Sequence, residues 1–499
     1  MKGRLVIVNH NKLTHGLAAG LLVCCAGCTV GPNYKRPSAP VPATWQVSEP
    51  WRQAEPKDAV PKTDWWTLFH DDELNGLETD LLAANQTLQV AYAHYQQARA
   101  SAAVQNATLF PTVAVNPAAD RQRYSGNRST GSTIPIAGLP VTQNSYVLPF
   151  TVSYEVDLFG QRRRTIEAAQ AAFQANAADL QNMQLVLTAE LAADYFTARQ
   201  LDSEIGILNR TVQTLQKGLD LVKSRHTGGI ASGLDVAQEE TLLNTTRTQA
   251  TLLQQQRKQY EDAIAVLVGK PAPDFRLTTR ELKAEPPNID TTIPSDLLER
   301  RPDIAETERQ MAVANAQIGV AKAAYYPSLT LYGQGGWNSA NISQLLNASS
   351  GFWAIGANVA EEIFTGGARR GQVQYQQAGY DATVANYRDT VLNAFREVQD
   401  NITGLEVLAS ARQSQADAVD SSRRQLDLAN SRYVGGLVSY LDVVSAQQNL
   451  LSNEQEAAVI QGQRLVTSVL LVKALGGGWD AASLAAVHVK PQLKDIVAP

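Results

Sequence analysis

The sequence predicts a mainly α-helical protein with a small β part, built as two structural repeats of one plan. First, Ser224-Arg225-His226-Thr227-Gly228-Gly229-Ile230-Ala231-Ser232-Gly233-Leu234-Asp235-Val236 returns as Ser431-Arg432-Tyr433-Val434-Gly435-Gly436-Leu437-Val438-Ser439-Tyr440-Leu441-Asp442-Val443. Second, Leu109-Phe110-Pro111-Thr112-Val113 is echoed by Tyr325-Tyr326-Pro327-Ser328-Leu329 at nearly the same separation. Each half is about 200 residues, which points to duplication rather than to a short-unit solenoid. Third, Arg162 to Lys223 and Arg369 to Arg432 contain no proline. At about 1.5 Å per residue, an uninterrupted helix over either stretch extends roughly 95 Å.

Net charge is -5 over 499 residues, so no basic field marks a nucleic-acid binder. Hydrophobic content of 44% is ordinary for a globular chain. After the first thirty positions the sequence has no apolar run long enough for a membrane-spanning helix; a β-barrel span leaves no such run and stays open. At the start, Lys2, Arg4 and Lys12 precede a short apolar core, Leu17 to Val23, and small residues lead to a cysteine in Cys25-Ala26-Gly27-Cys28. This resembles a bacterial lipoprotein signal over 1–27, with Cys28 as the lipidated first residue of the mature chain. Thr29, rather than an aspartate, follows Cys28 and by the same resemblance favours the outer membrane. Cys24, Cys25 and Cys28 are the only cysteines, so the mature chain has none for a disulfide or thiolate metal site.

Residues 28–75 read as a tether. Prolines recur from Pro32 to Pro56 and preclude regular helix, and Trp65-Trp66 and Phe69 tack the end to the main fold. The first repeat, 76–269, opens with helical spacing over Asn75 to Ala107 and is closed by Pro111. Thr112 to Asn116 is a short strand, Asp120 to Gln143 a polar loop, and Tyr146 to Phe159 a returning strand interrupted by Pro149. After a linker, 270–294, the second repeat, 295–475, has a strand over Pro327 to Trp337, a polar loop over Asn338 to Ser350 and a strand over Phe352 to Phe364. A C-terminal segment, 476–499, follows. Apolar and small residues alternate at three- and four-residue steps from Leu441 to Val472, and a similar stripe runs from Val236 to Leu267. Polar members of these stripes suit helices packed side by side into a wall better than a dry two-stranded zipper.

Two hairpins give four strands, and four strands cannot close a barrel; small membrane barrels need about eight or more. Open edges facing lipid leave unpaired amides that cost several kcal/mol each. If the strands span a membrane, several chains share one barrel, and three supply twelve strands. A sheet capping a helical bundle in water is the other possibility.

Several motifs in order along the chain resemble the TolC-like outer-membrane efflux proteins, in particular their NodT/OprM-like lipoprotein branch. They are Cys28-Thr29-Val30-Gly31-Pro32-Asn33-Tyr34, Trp65-Trp66, Glu155-Val156-Asp157-Leu158-Phe159-Gly160, Arg300-Arg301-Pro302-Asp303-Ile304, Tyr326-Pro327-Ser328-Leu329, Ile363-Phe364-Thr365-Gly366-Gly367 and Ala474-Leu475-Gly476-Gly477-Gly478-Trp479. The resemblance implies a homotrimer: a shared twelve-stranded β-barrel across the outer membrane, four strands per chain, above a long α-helical barrel in the periplasm. It implies a passive exit duct for drugs or other small molecules, joined by a periplasmic adaptor protein to an inner-membrane pump of RND type. The segment from Trp65 to Asn75, the linker and the tail would then form a belt around the helical barrel.

Arg301-Pro302-Asp303 is a fold marker: Pro302 suits a first helical turn, and Asp303 sits at the positive end of the helix dipole. The paired glycines Gly228-Gly229 and Gly435-Gly436 allow left-handed backbone at a helix end, and Ser232-x-x-Asp235 and Ser439-x-x-Asp442 read as capping boxes. By resemblance, the periplasmic entrance is held by Leu441 and Asp442, with Tyr433 bonding toward Asp235. Three copies of Asp442 would form a carboxylate ring that repels anions and attracts cations. Ser445 stands where many relatives carry a second aspartate, so the ring is sparser. The six histidines have no metal spacing, and Gly269-Lys270 and Gly476-Gly477-Gly478 lack phosphate and dinucleotide fingerprints, so neither metal nor cofactor is expected. Two competing functions are a periplasmic adaptor or structural coiled-coil lipoprotein, and a hydrolytic enzyme, for which no nucleophile–base pair can be named.

Overall fold

The computed structural model of the chain describes residues 29–39, 41–42, 64–123, 125, 142–289, 300–479 and 484. The expected signal segment, Cys28, the tether over 43–63, the first polar loop over 126–141, the end of the linker and most of the C-terminal segment lie outside the described residues. The first half contains α1 (Asp72–Ala84), α2 (Gln86–Ala107), β1 (Thr112–Val115), β2 (Ala118–Arg123), β3 (Thr142–Val156), α3 (Gln161–Thr227) and α4 (Gly233–Leu267). The second contains α5 (Pro302–Ala323), β4 (Ser328–Ser339), β5 (Gly351–Ala360), α6 (Ala368–Val434) and α7 (Tyr440–Ala474). The repeat holds to the residue: α3 and α6 are each 67 residues long, and α4 and α7 each 35. The longer pair extends about 100 Å at 1.5 Å per residue.

Residues 75–107, expected as one helix, divide at Asn85 into α1 and α2. The Asn85 carbonyl oxygen Oδ1 accepts from Leu88 N at 2.9 Å and caps α2, while its Nδ2 donates to Leu267 O, at the end of α4, at 2.8 Å. One side chain therefore joins the C-terminus of α4 to the N-terminus of α2. The second half uses Arg301 in the same place. Its guanidinium donates to Ala474 O, the last residue of α7, at 3.2 Å, and clamps Asp303 at 3.0 and 2.6 Å and Glu397 of α6 at 2.8 Å. Asp303 Oδ1 accepts from Ile304 N at 2.9 Å, as an acidic residue in a first turn should. The Arg-Pro-Asp marker is thus the clasp at which α7 continues into α5.

Two continuous staves result, α4–α2 and α7–α5, set beside the long staves α3 and α6. The central stave α3 packs against α2, α4, α5 and α7, and α6 packs against α5 and α7. This is a sheet of four staves rather than a ball. Its main core crosses all of them: Trp65, Phe69, Phe196, Ile264, Ile304, Val398 and Val469 belong to one buried cluster. Trp65 Nε1 donates to Thr188 Oγ1 at 3.3 Å, fastening the end of the tether to α3.

The linker after α4 lies across these staves. Arg199 of α3, with its side chain 1% exposed, donates to Glu73 at 2.7 Å, to Asp202 at 2.8 Å and to Thr278 O. Arg257 of α4 reaches Asp202 at 3.0 Å, Glu261, and Leu277 O at 2.7 Å. These buried charges are tolerated because every one has a partner of opposite sign or a carbonyl. Further along, Glu285 meets Arg412 of α6 at 2.8 Å and Arg464 of α7 at 3.1 Å.

The strands form one antiparallel sheet in the order β1-β3-β4-β5, with β2 also paired to β3. Collinear β1 and β2 make one edge, broken at Asn116-Pro117. The strands differ from expectation in several places: β3 ends at Val156 rather than Phe159 and β4 runs on to Ser339 rather than Trp337, and three further differences have a visible cause. Asp120 to Arg123 continue the first strand, because each has a partner in β3 from Ser145 to Thr142. Pro149 does not interrupt β3: it faces Gly336, whose missing side chain leaves room for the backbone around Leu148 and Pro149. Finally β5 ends at Ala360, so Ile363 and Phe364 lie beyond the strand and are 89% exposed.

Candidate functional site

The pairing register sorts the sheet into two chemically distinct faces. Val113, Val152, Gly333 and Ile355 align across the strands, as do Val115, Phe150, Gly335 and Trp353, and Val156, Leu329 and Val359. Cross-strand partners point to the same side, and neighbours along a strand to opposite sides. One face therefore carries valine, leucine, isoleucine, phenylalanine and tryptophan. The other carries Thr112, Ser153, Thr151, Gln334, Glu155, Thr330 and Asn358, with Val147, Tyr332 and Phe352 interspersed. In a water-borne sheet the apolar face would be covered by helices. Here it is bare: Ile355 is 80% exposed and Trp353 79%. The apolar rows run from Leu148 and Trp337 to Val156 and Leu329. At about 3.3 Å per residue these rows extend roughly 26 Å along the strand, or about 20 Å across a membrane at a tilt of about 40°, most of the ~25 Å apolar band of an outer-membrane barrel. Among the described residues no helix is long and apolar enough to cross a membrane.

Below the sheet, Asp157 accepts from Arg162 N at 3.1 Å and Arg163 N at 3.0 Å, turning the chain from β3 into α3. The start of the described tether is built into this junction. Val30 N donates to Phe159 O at 3.1 Å, and buried Arg164 donates to Val30 O and Gly31 O at 3.3 Å and to Asn33 Oδ1 at 2.8 Å. Gly31, at φ 102°, lies against Gly319 of α5: a Cβ on Gly31 would come within 2.6 Å of the Gly319 Cα, and one on Gly319 within 2.9 Å of the Arg164 side chain. Cys28 itself lies outside the described residues, but its neighbour Thr29 packs on Gly160, at the base of the apolar band.

At the far end of the staves the two repeated turns have one geometry. Ile230 N donates to Arg225 O at 2.8 Å and Gly229 N to His226 O at 2.9 Å; Leu437 N donates to Arg432 O at 2.9 Å and Gly436 N to Tyr433 O at 3.0 Å. This double bond pattern is the Schellman helix end, which needs a left-handed residue. Only the second glycine of each pair supplies it: Gly229 has φ 75° and Gly436 φ 71°, whereas Gly228 and Gly435 are right-handed at -76° and -74°. Asp235 accepts from Ser232 N at 3.0 Å, and Asp442 accepts from Ser439 N at 3.0 Å and Ser439 Oγ at 2.8 Å. Both aspartates cap their helices. Asp442 and Leu441 are exposed and Ser445 half-buried, whereas Val443, Val444 and Ala446 face the core of the turn region.

The contact between the turns differs from the expected Tyr433–Asp235 bond. Asp235 is taken up by its own cap, while the Tyr433 ring lies under the Arg225 guanidinium at 4.8 Å and meets the Tyr440 ring at 5.0 Å. Tyr440 is buried in a small cluster with Leu215, Leu219, Val222, Leu242 and Leu243. Sequence reasoning singled out Tyr433 and missed Tyr440. The repeat held the signal, because Tyr440 replaces Gly233 in an otherwise shared cap.

Among the described residues no group of three or more His, Cys, Asp or Glu is placed to hold a metal ion. The family profile described as outer membrane efflux protein matches residues 77–270 and 293–477. The toluene efflux pump outer membrane protein TtgF of Pseudomonas putida is 33% identical over 479 residues, covering 94% of this chain and 98% of the relative. The pyoverdine export outer membrane protein OpmQ of Pseudomonas aeruginosa is 30% identical over 477 residues, covering 93% and 96%. The solved outer-membrane channel OprN superposes with a TM-score of 0.82 at 27% identity, covering 91% of this chain and 100% of that one. These similarities set aside the adaptor and hydrolase alternatives. The chain belongs to the outer membrane efflux protein family and is the outer-membrane channel component of an efflux pump.

Proposed function

We propose that three copies of this chain form one passive duct, closing a twelve-stranded barrel in the outer membrane and a twelve-stave helical barrel below it. The observation that carries this is the sheet: an uncovered apolar face, a polar opposite face, and two strand edges in one protomer. An apolar outside demands lipid, and open edges in lipid demand further strands. Cys28, next to a tether anchored at the base of the apolar band, is the lipid attachment point. Its acyl chains and the barrel then enter the same leaflet.

The paired turns form the periplasmic entrance. Leu441 and Asp442 project from the first turn of α7 on the side away from the core, with Ser445 one turn on, and threefold symmetry brings their copies together. Ile230 and Leu437, each 72% exposed at the apex of a turn, present apolar side chains at the end of the duct to a periplasmic adaptor, which links it to an inner-membrane pump of RND type. Toluene and pyoverdine, the cargoes in the names of two relatives, have little chemistry in common, which fits a conduit whose choice of cargo is made upstream.

Two measurements test this. The purified lipoprotein in detergent should migrate as a heat-sensitive trimer; a monomer at every temperature below unfolding refutes the shared barrel. In a planar bilayer, Asp442→Ala should raise the closed-state conductance severalfold and weaken cation selectivity. Unchanged conductance removes Asp442 from the entrance.

A further inference from the structure

The internal repeat gives a baseline for what one half needs, so departures from it mark what the halves do to each other. Near the turns, Tyr440 stands where the first half has Gly233, and Glu239 of α4 stands where the second half has Ala446. The helices that carry them begin at equivalent residues, Gly233 and Tyr440. These two departures meet. Glu239 has no exposed surface, and neither carboxylate oxygen has a hydrogen-bond partner among the described residues. The Tyr440 hydroxyl is its polar neighbour, contributed by the opposite repeat. On the third side is Gly218 of α3: a Cβ there would come within 2.5 Å of Glu239 Oε1 and 3.6 Å of Tyr440 Oη. Leu242 and Leu243, one turn further along α4, and Leu219, next to Gly218, belong to the surrounding apolar cluster.

We propose that Glu239 is a positioning residue for the periplasmic entrance: as a neutral acid beside Tyr440 it holds the start of α7 against α3 and α4, and its ionisation releases that hold. The site is sealed inside one protomer, so trimer formation cannot hydrate it. A carboxylate in such a place costs far more than a carboxylic acid, because no cation is present and the Tyr440 hydroxyl alone repays only part of the lost hydration. The groups around it confirm the lack of compensation. On α3, the Lys223 ammonium is paired with Glu240 at 2.7 Å, and Arg225 lies over the Tyr433 ring at 4.8 Å. On α4, Asp235 is a further anion held by its own cap. From α6 comes Tyr433, and from α7 Tyr440 and the capping Asp442. Burial accordingly pushes the Glu239 carboxyl above its ordinary range, opposed by Tyr440.

The sign follows from proton counting. The packed form holds the proton to higher pH than the opened, hydrated form, so it is most favoured in acid. It loses about tenfold in population ratio per pH unit from the ordinary glutamate value of about 4.3 up to the raised value, and is constant above that. The entrance is therefore tighter in acid and looser toward neutral and alkaline pH.

The inference rests on the turns being the entrance, and two readouts separate the claims. Backbone deuterium exchange of the full-length trimer in nanodiscs, corrected for the intrinsic chemical rate, reports packing of Ser439 to Ala446 whether or not that segment gates. Between about pH 5 and about pH 8, exchange of the wild type should rise severalfold, because the Glu239 carboxyl lies above its ordinary range. In Glu239→Gln, which keeps the shape and stays neutral, it should remain low and flat, and in Tyr440→Phe it should be raised at every pH. A flat wild-type profile, or an undiminished rise in Glu239→Gln, overturns the proposal. If the exchange behaves as stated while Asp442→Ala leaves conductance unchanged, the hold on α7 stands and the placing of the gate at Asp442 fails.

Discussion

A lysine placed on the sheet tests the membrane assignment at single-residue resolution. Ile355 lies near the middle of β5, in the apolar row with Val113 and Val152, and is 80% exposed. If that row faces acyl chains, Ile355→Lys puts an ammonium near the bilayer midplane at a cost of about 2 to 4 kcal/mol per chain. In a threefold assembly the penalty is about 6 to 12 kcal/mol, comparable to the whole stability of many domains. Gln334→Lys is the matched control: Gln334 pairs with Ala354, one residue along β5, so it sits at the same height on the opposite face. There the charge meets water inside the duct, and the expected cost is that of a solvent-exposed substitution, about 0.5 kcal/mol or less. The assay is the fraction of heat-sensitive trimer recovered from outer membranes, with urea unfolding in liposomes giving the free energy. Ile355→Lys should abolish or severely reduce the trimer, and Gln334→Lys should leave it near wild type. Equal effects from the two substitutions would refute the assignment of faces and the barrel built on it.

Two further outcomes follow from buried groups. Arg301→Ala removes the clasp between α7 and α5, leaving the buried Ala474 O without its donor while the partly exposed Asp303 and Glu397 turn to water; a loss of about 1 to 3 kcal/mol is expected in denaturant unfolding, with Arg301→Lys recovering only part because it cannot fork. Glu306 lies between α3 and α5 in a cleft with Asp179, and burial, then Asp179 and Asp303, pushes its carboxyl up to about 7. Its folded-state value exceeds the unfolded one, so stability is fully present below about 4.3 and is lost as pH rises toward 7. Glu306→Gln should therefore raise the melting temperature at pH 8 and leave it unchanged at pH 4, where both forms are neutral; a gain of the same size at both would refute the ionisation account.

Much of this molecule was legible in the sequence because duplication and long-range periodicity are one-dimensional signals. Two proline-free stretches gave α3 and α6, and Ser-x-x-Asp after paired glycines gave both helix turns, since capping is decided within a few residues. Element ends were harder. Asn85 looks like any polar residue inside a helical pattern; it becomes a break because Leu267, 182 positions away, needs its amide. Pro149 argues locally against a strand, and only the bare backbone of Gly336 across the ladder makes it harmless. Residues 120–123 alternate no apolar side chains, so their strand character comes entirely from the hydrogen bonds β3 offers.

The entrance shows the same division between local and distant causes. A capping aspartate is visible in sequence, whereas the partner of a turn is not. Tyr433 and Asp235 were natural to pair because both stand at the repeated motif, yet the Tyr433 ring lies against Arg225 and Asp235 accepts from its own cap residue, Ser232. The polar neighbour linking the halves lies one step off the shared pattern, at Tyr440 and Glu239, and at those positions the two copies no longer agree. This has a physical reason. Within a protomer, α4 and α7 both lean on the single helix α3, so α3 must meet two similar helices with different faces. Residues identical in both halves can satisfy each half's own turn, but a contact joining the halves through one shared helix requires that they differ. In a duplicated chain, conserved repeat positions therefore identify the scaffold, and the mismatches beside them locate where one half holds the other.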